Sequence, residues 1–295
     1  YGSNPRVTRW HDLEPNLEKY LDANSVVFIQ CVGSRDDERP YCSKICCTAS
    51  ISQALEIKAK KPDANVFILH RDIRTYGDRE AIYQEAREKG VLFIRYEKDQ
   101  KPVVKEVDNG LEVSVFDPIL QREIIIEADL LNLATAIEPC HNEKVTAAYK
   151  LPVNAERFIM EAHAKLRPVD CVTAGIFVCG MAHYPKPIGE SIAQAQAAVS
   201  RATTVLTRQT VEVEPIVSEV NADLCIGCGL CGQTCCFGAI NLEPVAGQGY
   251  KAQTTSALCK GCGVCAVACP QQAISMKHFK NEQIIAAIRA GIAAS

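Results

Sequence analysis

Two runs of four cysteines with the same spacing constrain this chain more than any other feature. They account for half of the 16 cysteines in its 295 residues. The runs are Cys225-x2-Cys228-x2-Cys231-x3-Cys235 and Cys259-x2-Cys262-x2-Cys265-x3-Cys269-Pro270. Glycines between the thiols let the backbone turn tightly around one compact group. The fold of this segment is therefore predicted to form around what the thiols bind.

The spacing of both runs is that of bacterial ferredoxins with two [4Fe–4S] clusters, in which the fourth cysteine of each run ligates the other cluster. We therefore predict two ligand sets, namely Cys225, Cys228, Cys231 with Cys269, and Cys259, Cys262, Cys265 with Cys235. A zinc ribbon is the alternative. The repeat departs from itself at Cys236, which stands where the second run has Pro270. We interpret Cys236 as a spare thiol, with an altered cluster as the other possibility.

A second cysteine group lies near the N-terminus and consists of Cys31, Cys42, Cys46 and Cys47. It falls between the end of a predicted strand and the start of a predicted helix. Ligands of parallel α/β sheets bind at that edge, and a helix N-terminus favours negative charge such as a thiolate-bound cluster. We predict a third [4Fe–4S] cluster here. A zinc site, unligated thiols and a redox disulfide stay open as alternatives.

Residues 25–129 alternate between predicted strands and helices, which is typical of a Rossmann-like α/β domain with a parallel sheet. The predicted strands are 25–30, 65–69 and 91–94, and the predicted helices are 46–60 and 78–89. Three short β-segments follow at 103–107, 111–116 and 123–127, and a buried return strand at 129–134.

The turn after the first strand lacks the glycine-rich fingerprint of a dinucleotide site. It reads Gln30-Cys31-Val32-Gly33-Ser34-Arg35, and residues 69–72 place no acidic side chain where a ribose hydroxyl would need one. We infer that this domain has exchanged dinucleotide binding for a cluster. A nicotinamide-dependent dehydrogenase is therefore disfavoured.

Charge and composition exclude other classes. A net charge of −3 and a pI near 6.1 give no electrostatic reason to expect nucleic acid as a partner. We find no run of about 18 apolar residues and expect no membrane span. Many thiols without a secreted disulfide framework favour a reducing compartment, and we expect a cytoplasmic protein.

Two segments resemble two-dinucleotide flavoprotein reductases of the thioredoxin reductase type. Residues 130–139 are similar to their Ala-Thr-Gly-x-x-Pro segment, with Ala136 in place of the glycine. Residues 175–180, predicted as a strand, resemble their FAD-contacting Gly-Ile-Phe-Ala-x-Gly-Asp segment, with Met181 in place of the aspartate. In that family the nicotinamide domain is inserted into the FAD domain.

The resemblance gives a domain order. We predict the C-terminal part of an FAD-binding domain at 1–24 and 130–208, an inserted cluster-carrying Rossmann-like domain at 25–129, a linker at 209–217, an α+β bacterial-type 2[4Fe–4S] ferredoxin domain at 218–280, and a C-terminal helix at 281–295. The chain starts without Met, so we expect a fragment of a longer polypeptide. The first half of the FAD domain should precede residue 1 and complete the FAD site.

More specific motifs resemble the A-type subunit of heterodisulfide reductase and its bacterial relatives. They lie at 31–35, 41–47, 185–195 and 278–285, in addition to the ferredoxin runs. The resemblance implies an FAD and iron–sulfur oxidoreductase subunit that passes electrons among partners. In the archaeal enzymes an electron pair is split at FAD between a high-potential acceptor and ferredoxin. Implied partners are B- and C-type subunits, ferredoxin, and an input subunit of the hydrogenase or formate dehydrogenase type, in a homodimer of the complex.

The resemblance also implies residues that contact FAD, namely Gly180, Met181, Lys186, Ser191, Ile192 and Gln194. Lys186 would place a positive charge near the isoalloxazine ring and stabilise the reduced anionic flavin. A solvated lysine is the competing interpretation. Two further function classes stay open, namely a flavin-free electron wire and a zinc-organised scaffold without redox function.

Overall fold

The structure is a computed structural model that describes residues 1–108, 110–140, 142–210 and 215–293. The chain divides into two units, Tyr1–Thr203 and Thr204–Ser295. Part of the predicted linker, residues 211–214, lies outside the described residues. No helix within the described ranges is both long and apolar enough to span a membrane.

The elements of the first unit follow the predicted α/β alternation. Its strands are β1 (Val7–Arg9), β2 (Ser25–Val32), β3 (Asn65–His70), β4 (Leu92–Arg95), β5 (Val103–Val107), β6 (Gly110–Asp117), β7 (Arg122–Ala128) and β8 (Leu130–Thr135). Its helices are α1 (Trp10–Leu13), α2 (Cys46–Lys60), α3 (Glu80–Glu88), α4 (Glu143–Ala148) and α5 (Ile188–Leu206), and α5 extends three residues past the end of this unit at Thr203. Short 3-10 segments occur at Glu14–Tyr20, Gly77–Arg79 and Gly180–Ala182.

A five-stranded parallel sheet with the order β1-β8-β2-β3-β4 forms the centre of this unit. The central strand β2 carries the apolar run Val26–Ile29, and all four of these side chains are buried. A strand that is apolar on both faces must be covered on both faces. The predicted Rossmann-like α/β class is therefore confirmed for this unit.

Two cores cover the two faces of the sheet. Val26 and Phe28 pack with Ile51, Ala54 and other residues against α2. On the opposite face, alternate β2 residues pack against the antiparallel sheet β5-β6-β7, whose three strands confirm the predicted β-segments. The unit therefore has a helical layer, a parallel sheet and an antiparallel sheet.

Residues 1–24, which we assigned to the FAD-binding domain, also contribute to this sheet. β1 pairs with β8 in parallel register, and Leu13 and Leu17 lie in the same core as Phe28. The predicted boundary at residue 24 therefore does not separate two sheets, although the assignment of domain roles stays a prediction.

The predicted strand at 175–180 is wrong. Phe177 forms only an isolated bridge with Asp170, and Gly175 has a φ of +82°. The backbone N–H of Cys171 donates to the carbonyl oxygen of Ile176 at 2.9 Å, so the segment folds back on residues 169–171 as a short hairpin. A bend of this kind replaces the extended backbone that a strand would need.

The second unit contains the ferredoxin repeat. Its strands are β9 (Ser218–Val220), β10 (Ile240–Val245), β11 (Gly249–Thr254) and β12 (Ile274–Met276), and its helices are α6 (Leu230–Thr234), α7 (Val264–Ala268) and α8 (Asn281–Ala293). β9 pairs with β12, and β10 pairs with β11, both antiparallel. The two short helices each begin after a glycine with positive φ, Gly229 and Gly263. This α+β arrangement confirms the predicted fold class of the unit.

We predict that the first unit depends on the covered face of β2. Phe28 is fully buried, so Phe28→Ala should lower the free energy of unfolding by about 3–5 kcal/mol. Ile119 is 83% exposed, so Ile119→Ala should change it by less than about 0.5 kcal/mol. Urea unfolding followed by circular dichroism measures both. Equal effects of the two substitutions would contradict this description of the core.

Candidate metal centres and flavin segment

Each ferredoxin run contributes cysteines to two separate cavities. One cavity is lined by Cys225, Cys228, Cys231 and Cys269. The other is lined by Cys259, Cys262, Cys265 and Cys235. The structure therefore groups the eight cysteines as in the predicted cross-ligation, with the fourth cysteine of each run beside the other run.

Backbone amides point at the sulfur atoms in both cavities. Ala239 N–H donates to Cys235 Sγ at 3.3 Å, and Ala273 N–H donates to Cys269 Sγ at 3.3 Å. Cys225 Sγ accepts from the Ala252 N–H at 3.4 Å. Such donors stabilise a thiolate, and they match the needs of sulfur atoms that carry negative charge on a cluster.

The amides also influence the thiols electrostatically. Burial opposes ionisation of Cys259, but the backbone N–H groups of Gly261 and Ser218 and the Ser218 hydroxyl lower its pKa on balance. Burial raises the pKa of Cys231 and of Cys265. A positive centre such as iron would favour ionisation of these two buried thiols.

The four cysteines of the N-terminal group come together in the first unit. Cys46 and Cys47 are buried and Cys31 and Cys42 are half-buried. Burial and then the neighbouring thiols of Cys47, Cys42 and Cys31 raise the pKa of Cys46. Burial also raises the pKa of Cys47 to about 11, with the N–H of Arg74 opposing the rise. The four sulfurs therefore lie close enough together for their charges to influence one another.

The helix N-terminus is placed as predicted. α2 begins at Cys46 and has no acidic residue in its first turn, so no side-chain carboxylate neutralises the positive end of the helix dipole. Lys44 N–H donates to Cys42 Sγ at 3.3 Å, and Arg35 Nη1 lies 3.8 Å from Cys31 Sγ. Each of these donors favours negative charge on the sulfurs.

Buried polar atoms without partners test whether a cluster fits here. Gln30 should face α2, because side chains alternate along β2 and Phe28 faces α2. Both polar atoms of its side-chain amide, and the Ser50 hydroxyl one turn after Cys46, have no hydrogen-bond partner among the described residues. An unpaired buried polar group costs about 1–3 kcal/mol. Cluster sulfides would accept hydrogen bonds from the Gln30 Nε2 and from the Ser50 hydroxyl, so these two donors fit a [4Fe–4S] group.

A single metal ion requires ligands that converge on one point. The described residues contain no group of three or more His, Cys, Asp or Glu side chains arranged to hold one ion. Thiolates bound to a [4Fe–4S] cubane each hold a separate iron atom, so their sulfurs do not need to converge on one point. The absence of a single-ion site among the described residues therefore does not count against a cluster.

The residues predicted to contact FAD lie on two adjoining segments. Gly180 has a φ of +64°, and a Cβ built on it would lie 3.9 Å from Ser191 Cβ, so the turn and the start of α5 approach closely. Met181 and Ile192 are 41% and 54% exposed. Gln194 Oε1 accepts the Gly180 N–H at 2.9 Å. An exposed face beside the first turn of α5 is compatible with a flavin contact.

Lys186 is not a solvated lysine, and that interpretation is wrong. It is 8% exposed, and its Nζ donates to the carbonyl oxygens of Gly180 and Tyr184 at 2.7 and 2.8 Å. Burial and the nearby Lys44 lower its pKa. A buried ammonium held against the Gly180 turn is a positive charge fixed at the predicted FAD segment.

Sequence reasoning missed the contact that joins the N-terminal cysteine group to residues 180–194, the predicted flavin segment. Lys44, which lies between Cys42 and Cys46, has its Nζ 3.8 Å from Glu190 Oε2 on α5, and Tyr76 donates a hydrogen bond to Glu190. The position of Lys44 inside the cysteine motif was the available indication. Only the tertiary structure could pair it with Glu190.

Aromatic side chains make a second connection. The ring of Tyr41, next to Cys42, lies 5.4 Å from that of Phe158 and 5.6 Å from that of Tyr184 between centroids. Phe158 and Tyr184 also contact each other at 5.0 Å. The loop carrying Cys42 and the segment carrying Lys186 therefore share one packed cluster.

The cysteines outside the predicted sets are distributed differently. Cys140 and Cys236 are exposed, Cys179 is half-buried and Cys171 is buried. Cys171 is 1% exposed, as expected for a small core residue.

Comparison with known proteins identifies relatives over most of the chain. The chain is 41% identical over 272 residues to the A-type subunit of the H(2):CoB-CoM heterodisulfide,ferredoxin reductase of Methanothermobacter thermautotrophicus. This match covers 90% of this chain and 40% of that protein. The chain is 41% identical over 288 residues to an Archaeoglobus profundus protein that is named for its likeness to the A-type subunit of heterodisulfide reductase, covering 96% of this chain and 40% of that protein. These matches confirm the resemblance indicated by the motifs. The chain spans about 40% of the length of these relatives.

A family model and solved structures also match. The 4Fe-4S binding domain model matches residues 255–275, a range that contains the second cysteine run. Thioredoxin reductase of Lactococcus lactis is similar with a TM-score of 0.47 and 14% identity, over 70% of this chain and 59% of that chain. Thioredoxin reductase of T. acidophilum gives a TM-score of 0.44 and 15% identity, over 69% and 58%.

We predict that two glycines with nearly the same backbone conformation respond differently to alanine. A Cβ on Gly227 (φ +72°) would lie 2.2 Å from the Tyr250 carbonyl oxygen, whereas a Cβ on Gly247 (φ +75°) would meet no atom within 4 Å. Gly247→Ala should cost about 1–2 kcal/mol for the left-handed conformation alone. Gly227→Ala should cost about 1–3 kcal/mol more for the overlap.

Thermal unfolding under anaerobic conditions, with iron measured in each purified variant, compares the two. Gly227→Ala should lower the Tm further and lose iron, while Gly247→Ala should keep it. Equal Tm and iron values would contradict the close approach of β11 to the first cysteine run.

Proposed function

We propose that this chain, which is homologous over most of its length to part of the A-type subunit of heterodisulfide reductase, is the iron–sulfur and flavin-binding portion of an oxidoreductase electron-transfer subunit. One observation carries the proposal. The loop between the cluster cysteines contacts the predicted flavin segment through Lys44 and Glu190. Cofactors on these two segments would be close neighbours, as electron transfer between them requires.

The proposed cofactors are three [4Fe–4S] clusters and FAD. The clusters are held by the two ferredoxin sets and by Cys31, Cys42, Cys46 and Cys47. FAD exchanges electrons in pairs whereas each cluster carries one, so together they convert between the two. Amides directed at the cysteine sulfurs are among the features that would set the potential of each cluster.

The chain's own residues would position the flavin. Gly180 leaves room for a close approach, Met181, Ser191 and Ile192 present the contact surface, and Gln194 fixes the turn through its bond to Gly180 N–H. Lys186 holds a positive charge beside this surface, which would favour a reduced, anionic ring. Relatives more than twice as long support completion of the site by residues outside this chain.

The finer proposal concerns the complex. The name of the Methanothermobacter relative includes hydrogen, a heterodisulfide and ferredoxin. We propose that this chain takes part in flavin-based electron bifurcation within a cytoplasmic heterodisulfide-reductase-like complex. Its partners would be B- and C-type subunits, ferredoxin, and an input subunit of the hydrogenase or formate dehydrogenase type. The complex would be a homodimer.

A flavin-free electron wire is the second candidate. Its support is that two predicted FAD contacts already bond within the chain. Gln194 accepts from the Gly180 N–H and also contacts His183 Nδ1 at 2.8 Å, so neither group needs a flavin partner. FAD released on denaturing the full-length protein separates the candidates, because an electron wire would release none.

The ligand assignment predicts an iron count. The anaerobically prepared chain should contain about twelve iron atoms, and Cys46→Ala should reduce the count to about eight. Cys171→Ala is the matched control, because Cys171 is also buried but belongs to no set, and it should keep about twelve. Iron and acid-labile sulfide assays measure this. An unchanged count in Cys46→Ala, or zinc in place of iron, would refute the third cluster.

Gln30 should influence the potential of that cluster. A donor to a cluster sulfide stabilises the added negative charge on reduction, so losing it lowers the midpoint potential. Gln30→Met keeps a similar shape and removes both polar atoms that have no partner among the described residues. In an EPR-monitored redox titration its potential should fall, while the ferredoxin clusters serve as internal controls. A potential equal to that of the parent would show that Gln30 does not reach the cluster.

A further inference from the structure

A cavity of about 280 Å³ opens at the carboxyl end of the parallel sheet. It is bordered by the end of β2, by Leu133 on β8 and by residues that follow β3 and β4. The chain runs outward from β2 to β3 and β4 and then returns to β8 on the other side of β2. This is the topological switch point of the sheet, where ligands of open α/β sheets bind. We call it the switch-point cavity.

The walls and the rim of the cavity have different chemistry. Ile29, Leu133 and Val104 provide apolar surface, while Arg71 and Lys101 provide two cations. Asp36 is the opposing acid, and its carboxylate accepts the Arg39 N–H at 2.8 Å. The cations therefore outnumber the carboxylate. Apolar walls with a few convergent polar groups are typical of small-molecule sites.

Arg71 has more N–H donors than its hydrogen bond to the Arg35 carbonyl oxygen uses. Its Nη1 donates to the Arg35 carbonyl oxygen at 2.7 Å, which fixes the side chain and uses one of the five N–H groups of a guanidinium. Lys101 lies on a different segment, just before β5, so two independent elements supply the positive charge. A fixed guanidinium recognises carboxylate and phosphate oxygens well.

The cavity also reaches the proposed third cluster. Cys31 lines it, and this residue has a φ of +60° where the pairing of β2 with β8 shifts register. At this kink the strand borders the cavity and also carries one of the four grouped thiols. Charge placed in the cavity would therefore lie next to a cluster ligand.

We propose that the switch-point cavity binds a small organic anion, a carboxylate or phosphate monoester with an apolar body, and that its binding lowers the midpoint potential of the third cluster. The potential falls because negative charge beside the cluster disfavours adding an electron. By linkage, the cavity binds the anion more weakly when the cluster is reduced. The effect on potential rests on the proposed function, whereas the binding site does not.

Calorimetric titration of the oxidised holoprotein with phenyl phosphate tests the site, with benzyl alcohol as the neutral probe. We expect phenyl phosphate to bind one per chain and benzyl alcohol to bind at least about tenfold more weakly. Arg71→Gln and Lys101→Gln should each weaken phenyl phosphate binding about tenfold or more, the loss of a hydrogen bond to a charged group. Lys98→Gln is the control, because Lys98 pairs with Asp37 outside the cavity, and it should bind within about twofold of the parent.

An EPR-monitored redox titration with and without phenyl phosphate tests the proposed effect of anion binding on the midpoint potential of the third cluster. The third-cluster potential should fall when the probe is present, and the ferredoxin clusters should not change. Absence of binding, or binding that neither Arg71→Gln nor Lys101→Gln weakens, would overturn the site. If the iron count shows no third cluster but binding follows the cations, the proposed function fails and the site stands.

Discussion

Hydrogen bonds from backbone N–H groups to cysteine sulfur atoms are the interaction on which this structure depends. In the second unit Ala239 and Ala273 direct their amides at Cys235 and Cys269. In the first unit the amide of Lys44 is directed at Cys42. A buried thiolate is unstable without such donors and a positive centre. The turns, the positive-φ glycines and the short helices around the thiols all serve to place those amides.

The two halves of the proposed redox system meet within the first unit. The cysteine-bearing loop contributes Tyr41 and Lys44, and the flavin segment contributes Tyr184 and Glu190. Aromatic packing and an ion pair therefore hold the same two segments together. A surface ion pair alone is worth little, so the packed rings supply most of the positional order. This arrangement would keep the distance between cofactors constant while electrons pass.

The sequence predicted some of these features correctly, one wrongly and others not at all. Helix α2 was predicted with its observed bounds because apolar periodicity and a cysteine-rich start are local patterns, and the grouping of Cys269 with the first run follows from a repeat. The strand at 175–180 was predicted wrongly, because an apolar run does not reveal the hairpin that Gly175 allows. The burial of Lys186 and the switch-point cavity depend on segments far apart in sequence, so no local pattern contains them.

Anomalous X-ray scattering from crystals of the anaerobically prepared protein would show whether the N-terminal cysteines hold iron. Maps from data collected on either side of the iron edge should show four iron atoms between the sulfurs of Cys31, Cys42, Cys46 and Cys47. One zinc atom at that place, or four separated thiols with no metal among them, would contradict the account.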